Sequence, residues 1–162
     1  CCRRGSRLGG SGRRQSLSPD HGRRPLNYQA MKDMLMNDEG VRFHLYEDTR
    51  GKQTIGVGRN LTDVGISKDE AMVLLDNDIT AAVNALDQVH PWWRSLSEIR
   101  QHVLVNMCFN IGIAGLGGFK KALTAMQAGD YETAANEMQD STWYVQVGAR
   151  AIRLVSLMRQ GQ

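Results

Sequence analysis

The spacing of apolar side chains changes its period along the chain, and each period predicts a different element. Between residues 27 and 38 the apolar positions follow helical spacing, and Gly40 provides a stop that ends this helix near Glu39. The pattern then alternates over 41–46, and a second alternating run covers 54–57 after a polar turn. The first part of the chain is therefore predicted to be a helix followed by a β-hairpin.

From Ser67 onward the pattern is helical to the end of the chain. Ser67 and Glu70 form a capping box that starts a helix of about six turns at 67–88. Pro91 ends this segment, and Ser95-Leu96-Ser97-Glu98 is expected to cap the next helix, whose centre is apolar nearly all round. Shorter helices are predicted near 118–128, 131–140 and 148–159.

These elements predict an α+β fold in two lobes. The small lobe, at about 39–66, carries the hairpin, and a long connecting helix follows at about 67–88. A large α-helical lobe occupies about 95–162 and also receives the N-terminal helix, so that 26–162 form one domain. A groove between two such lobes is the expected ligand site.

Composition and charge restrict the class of protein further. The 162 residues are 41% hydrophobic and 23% charged, as in ordinary globular domains. Neither a membrane span of roughly 18 apolar residues nor an apolar signal segment is predicted. The net charge of +3 is uneven, because residues 1–26 hold seven arginines and one acid, whereas the rest has 13 basic and 16 acidic residues.

The Arg-, Gly- and Ser-rich tail at 1–25 is predicted to be disordered, either as a native arm or as a non-native extension. If the tail is native, its arginines could bind nucleic acid electrostatically, so nucleic acid is an alternative partner through the tail alone. No metal site is predicted, since Cys1 and Cys2 are adjacent and the four histidines are scattered. Cys108 lies in an apolar helical run and is expected to be a small buried hydrophobe.

Glu39 is a candidate general acid. It falls at the C-terminal end of the first helix, where the negative pole of the helix dipole disfavours a second negative charge. Apolar packing would disfavour the ionised form further, and a carboxyl group that stays protonated is what a general acid requires. The alternative is a solvated glutamate at a helix end.

Asp48 and Thr54 are candidates for holding a water molecule. Alternation places Val41, Phe43 and Leu45 on one face of the hairpin, expected to be buried, and directs Asp48 and Thr54 to the other face. Because the hairpin returns the chain, the carboxylate and the hydroxyl can be neighbours. An acid opposed by such a carboxylate suits glycoside hydrolysis, which in its inverting form separates the carboxyl groups by roughly 6.5–9.5 Å. The alternative is ordinary turn chemistry in the hairpin.

The ordered set of motifs resembles the phage-type lysozyme or endolysin family, glycoside hydrolase family 24, of the T-even phage type. The matching segments include Asp38-Glu39-Gly40, Tyr46-Glu47-Asp48-Thr49, Thr54-Ile55-Gly56-Val57-Gly58, Asn106-Met107-Cys108-Phe109 and Trp143-Tyr144. The resemblance covers about 28–160 and implies a lysozyme-like two-lobe fold. It also implies a muramidase that cleaves the β-1,4 bond between N-acetylmuramic acid and N-acetylglucosamine in peptidoglycan, causes bacterial lysis and needs no cofactor.

The resemblance carries the family's catalytic Glu, Asp and Thr onto Glu39, Asp48 and Thr54. It also implies positions that contact the glycan strand: Tyr46, Asn60, Phe109, Asn110 and Arg150. Where the family commonly has His after the last glycine of its TIGxG motif, this chain has Arg59, and we expect an ion pair between Arg59 and Asp78 in its place.

Two other functions remain open at this point. A lytic transglycosylase needs the acid but no carboxylate to activate water, so Asp48 and Thr54 argue against it. A catalytically silent glycan-binding or baseplate module would not need Glu39, Asp48 and Thr54 intact. We expect a monomer that accumulates in the host bacterial cytoplasm until it is released to the periplasm and cell wall; a virion-borne role is the alternative.

Overall fold

The computed structural model describes residues 26–161, and the predicted tail at 1–25 lies outside the described residues. In chain order, the elements of the described part are α1 (Tyr28–Glu39), β1 (Arg42–Glu47), β2 (Gln53–Gly56), β3 (Arg59–Asn60), α2 (Lys68–Val89), a 3-10 helix (Pro91–Ser95), α3 (Glu98–Gly117), α4 (Lys120–Ala128), α5 (Tyr131–Gln139), α6 (Thr142–Val147) and α7 (Ala149–Gln160). The predicted α+β class is confirmed.

The chain divides into two compact units, one ending at Gly65 and one beginning at Ile66. The division places α1 and the sheet in the first unit and the long helix α2 in the second. The assignment of the N-terminal helix to the helical lobe stays a prediction.

The first unit is built from α1 and an antiparallel sheet in the order β1-β2-β3. Helix α1 ends as predicted, because Gly40 adopts a positive φ of 71° and donates its N–H to the Met36 carbonyl at 3.1 Å. The third strand was not predicted. It makes β2 the central strand, so that Thr54 lies between Tyr46 of β1 and Asn60 of β3.

The apolar face of β1 is exposed, and the predicted burial of Val41, Phe43 and Leu45 is wrong. Phe43 is 83% exposed, whereas Thr54, which was predicted to face away from the core, is only 3% exposed. Helix α1 contributes no buried residue and therefore does not cover the sheet. Alternation fixes which side chains share a face, but burial needs a second layer.

The second unit holds the hydrophobic core of the described residues. Its largest fully buried side chains are Trp93, Leu86, Leu104, Met107, Leu116, Met126, Met138, Met158 and Val103. Only the second half of α2 reaches this core, through Ala82 and Leu86. Met72 and Ile79, which share the predicted apolar stripe of the connecting helix, are exposed.

The helix starts of the second unit follow the sequence signals in part. The capping box at Ser67 and Glu70 is confirmed, with hydrogen bonds of 3.2 and 2.6 Å between side chain and backbone. Ser97 occupies the N-cap of α3 but forms no side-chain cap bond there. Its hydroxyl donates instead to the Gly161 carbonyl at 3.3 Å, which ties the start of α3 to the end of α7.

Helix α3 runs from Glu98 to Gly117 and bends at Gly112, whose φ is +70°. Cys108, one turn earlier, is buried as expected, and its thiol donates to the Ala82 carbonyl at 3.8 Å. Burial raises the pKa of this thiol and so favours its neutral form, as expected for a cysteine that packs as a small hydrophobe.

Asp87 links the end of α2 to the 3-10 helix, and it gives a pH-dependent prediction. It accepts hydrogen bonds from the Arg94 guanidinium and the Trp93 indole, each at 2.8 Å, and these lower its pKa to about 2. Because the folded pKa lies below the unfolded value, the stabilisation is present above about pH 4 and is lost as the pH falls towards 2. We expect Asp87→Asn to lower the Tm at pH 7 but hardly at pH 2, as measured by thermal denaturation. A deficit in Tm of equal size at both pH values would contradict this assignment.

Candidate active site

The hairpin turn between β1 and β2 fixes the orientation of the Asp48 carboxylate. Its Oδ1 accepts the backbone N–H of Arg50 at 2.8 Å and that of Lys52 at 2.9 Å. The N–H of Lys52, then that of Arg50, and the nearby charges of both side chains lower the pKa of Asp48 below its usual range. Within residues 26–161, Oδ2 accepts no hydrogen bond. Asp48 is thus an ionised carboxylate with one oxygen anchored and the other available.

The backbone of Lys52 joins Asp48 to Thr54. The Lys52 carbonyl accepts both the Asp48 N–H at 2.9 Å and the Thr54 hydroxyl at 3.2 Å. Because Thr54 donates its proton to this carbonyl, its oxygen presents only lone pairs to any further partner. Asp48 and Thr54 were expected to be neighbours, and Lys52 links them because both donate to its carbonyl.

Glu39 is the last residue of α1, as predicted, but its side chain is exposed, so the expected apolar packing is not found. Its Oε2 lies 3.9 Å from the position that a Cβ would occupy on Gly58, in the turn after β2. Asp48 lies in the turn before β2 and Thr54 within it. The three candidate catalytic residues therefore flank one short strand of the first unit.

Two predicted glycan-contacting residues, Tyr46 and Asn60, lie on the strands beside Thr54. The Arg42 guanidinium stacks 4.3 Å from the centre of the Tyr46 ring and covers one of its faces. Asn60 has a structural role, since its amide donates to Asp63 at 2.9 Å and its carbonyl accepts the Asp63 N–H at 3.0 Å.

The other three predicted contacts lie in the second unit. Phe109 is 43% exposed and lines a cavity of about 520 Å³ beside the bend in α3. The Asn110 carbonyl accepts the indole N–H of Trp143 at 3.0 Å, which leaves the Asn110 amide group for other partners. Arg150 is partly buried, and its Nε donates a hydrogen bond to Asn106 Oδ1 at 2.8 Å.

With this geometry in place, comparison with known proteins decides the family. A sequence model of the phage lysozyme family matches residues 36–160, which is most of the chain and includes every candidate site residue. The chain belongs to the phage lysozyme family. The resemblance read from the motifs is thereby confirmed.

Three curated relatives are similar to this chain. The pre-baseplate central spike protein Gp5 of Enterobacteria phage T4 is 32% identical over 160 residues, covering 82% of this chain but 28% of the spike protein. The probable T4-type lysozymes 2 and 1 of Dictyostelium discoideum are 29% and 27% identical over 161 residues, covering 82% of this chain and 95% of each relative. The chain therefore spans under a third of the spike protein and nearly all of the two relatives named as lysozymes.

Arg59 marks the departure from the usual family pattern. Its Nε donates to the Gly65 carbonyl at 2.8 Å, which anchors the segment between β3 and α2. The ion pair of Arg59 with Asp78 stays a prediction.

Sequence reasoning missed the residues that support the site. Lys52 holds both Asp48 and Thr54, Asp63 holds Lys52 and Asn60, and Asn106 holds Arg150. A signal for Asp63 exists in the sequence, because Asn followed by Asp three residues later in a loop is typical of a turn closed by side chains.

Neither a metal site nor a membrane helix emerges from the described part of the chain. No group of three or more His, Cys, Asp or Glu side chains in it could hold a metal ion. No single helix there is long and apolar enough to cross a membrane, and α3 with α4 passes that test only as a pair bent by 105°.

Proposed function

We propose that this protein is a muramidase that cleaves the β-1,4 bond between N-acetylmuramic acid and N-acetylglucosamine in peptidoglycan with inversion at the anomeric carbon. The observation that carries the proposal is the arrangement at Lys52, in a member of the phage lysozyme family. There an ionised Asp48 and the Thr54 hydroxyl share one backbone carbonyl. The turn thus places two hydrogen-bond acceptors where one water molecule could be held.

In the proposed reaction Glu39 and Asp48 act on the two sides of the sugar ring. Asp48 Oδ2 and the lone pairs of Thr54 accept the two hydrogens of a water molecule, so that its oxygen attacks the anomeric carbon. Asp48 takes a proton from this water as the new C–O bond forms. Glu39 gives its proton to the leaving glycosidic oxygen as the old C–O bond breaks, and the released ends are a hydrated reducing sugar and a free hydroxyl.

A digest of purified Gram-negative peptidoglycan, with products analysed by mass, tests this proposal. A muramidase gives muropeptides with hydrated reducing ends. Predominantly 1,6-anhydro ends would identify a lytic transglycosylase instead. An absence of soluble products, with the protein still bound to the glycan, would identify a catalytically silent glycan-binding or baseplate module.

Thr54 is buried, so two substitutions can separate the contribution of its hydroxyl group to activity from that of its side-chain volume. Thr54→Val keeps the volume but removes the oxygen, and we expect kcat to fall about tenfold or more with little change in KM. Thr54→Ser keeps the hydroxyl and should retain most of the activity. Equal kcat values for the two variants would show that the hydroxyl takes no part.

The glycan strand is proposed to contact Tyr46, Asn60, Phe109, Asn110 and Arg150. The exposed ring of Phe109 and the amide of Asn110 offer an apolar surface and donors suited to N-acetyl sugars. We propose that the protein acts as a monomer on the host cell wall after release from the bacterial cytoplasm.

A further inference from the structure

We infer that Lys52 and Asp63 form a positioning pair for the water-activating residues, Asp48 and Thr54. The inference rests on the proposed function, because it assigns these two residues a part in that reaction. Neither residue need touch the substrate. Their task is to keep the turn that carries Asp48 in one conformation.

The pair is a network in which both oxygens of Asp63 are used. Lys52 Nζ donates to Asp63 Oδ1 at 2.9 Å, and Asn60 Nδ2 donates to Asp63 Oδ2 at 2.9 Å. The Asp63 N–H closes the turn by donating to Asn60 Oδ1 at 3.0 Å. The side-chain bonds from Lys52 and Asn60 lower the pKa of Asp63, so the carboxylate stays charged at neutral pH.

Further hydrogen bonds from the same turn hold the chain between Asp48 and Thr54. The Gln53 N–H donates to the Thr62 hydroxyl at 2.9 Å, and the Leu61 N–H donates to the Gln53 carbonyl at 2.8 Å. Residues 52 and 53 are therefore held by the 60–63 turn, which belongs to a different hairpin from Asp48. A turn held from a neighbouring strand has less freedom than one held only by its own ends.

The main chain of Lys52 transmits this restraint to the site. Its N–H donates to Asp48 Oδ1 and its carbonyl accepts from Asp48 and Thr54, so any shift of Lys52 moves both groups. Displacements of an ångström at reacting groups lower rates strongly. The side chains of Lys52 and Asp63 are 37% and 52% exposed, and exposed ion pairs contribute little to stability. Loss of the pair should therefore affect catalysis more than folding.

The test uses the full chain on peptidoglycan, with Lys52→Met, Asp63→Ala and the conservative Lys52→Arg. We expect the first two to lower kcat about tenfold with KM changed by less than about twofold, and Lys52→Arg to keep most of the activity. Because the Lys52 charge favours ionised Asp48, the acid limb of the kcat/KM profile should also move to higher pH in Lys52→Met. The double variant should be no worse than the poorer single variant.

Lys121→Met is the matched control, since Lys121 is an exposed lysine whose ammonium lies 3.7 Å from Glu137 in the second unit. It should leave kcat, KM and the acid limb unchanged. If the wild type is active but Lys52→Met and Asp63→Ala match it in kcat and acid limb, the positioning pair is refuted while the proposed function stands. A wild type without activity on peptidoglycan overturns the proposed function and this inference together.

Discussion

Replacing Glu39 by glutamine is expected to lower kcat/KM on peptidoglycan at least about 100-fold, the scale of positioned acid catalysis. Glutamine has the shape of a protonated carboxyl group but has no acidic proton to give to the leaving oxygen. Glu39 is exposed at the end of α1, and its carboxyl group forms no hydrogen bond with any of the described residues. The substitution should therefore leave the Tm unchanged, so that lost activity reports on chemistry alone.

The neighbouring acid supplies the control for Glu39. Asp38→Asn removes one negative charge from the same helix end and should keep nearly full activity. Release of soluble muropeptides from purified peptidoglycan measures both variants. Near-normal release by Glu39→Gln would refute its role as the general acid, and a large loss in Asp38→Asn would show that the charge of the helix end matters instead.

Replacing Asp48 by asparagine is the second large effect, again a loss of at least about 100-fold in kcat/KM. The amide oxygen of asparagine can still accept the N–H groups of Arg50 and Lys52, which now hold Asp48 Oδ1. The turn should therefore survive, while the neutral side chain cannot take a proton from water. The loss is expected in kcat rather than in KM, because the water molecule is activated only in the transition state.

Glu47→Gln is the matched control for this variant, since it removes a carboxylate from the adjacent, exposed residue of β1. It should change kcat less than about twofold. Circular dichroism and the Tm check that Asp48→Asn folds as the wild type does. Full activity of Asp48→Asn in that folded state would exclude Asp48 as the base and reopen the transglycosylase reaction, which needs only the acid.

The helices were predictable because their signals are local. Gly40 ends α1 and the Ser67 capping box starts α2, and each of these bonds spans four residues or fewer. Strand β3 was missed because it consists of only two residues, Arg59 and Asn60, which are too few to show an alternating pattern. Phe43 was expected to be buried because alternation reveals a shared face, but it cannot reveal whether another layer covers that face.

The sequence identified the candidate catalytic residues but not the residues that support them. The motifs that contain Glu39, Asp48 and Thr54 are present in the sequence, so each of these residues could be identified from it. The link through Lys52 depends on the folded turn, because it is made by backbone groups that every residue type carries. Arg150 meets Asn106 across 44 residues, and only the packing of α7 on α3 brings them together.

The anomeric form of the first product tests the central claim most directly. The wild type is mixed with soluble peptidoglycan fragments, and the new N-acetylmuramic acid reducing ends are followed by proton NMR before they mutarotate. Because direct attack of water on a β-linked sugar inverts the anomeric carbon, the account predicts that the α-anomer appears first. A first product that is the β-anomer, or a 1,6-anhydro sugar, would contradict the roles assigned to Glu39 and Asp48.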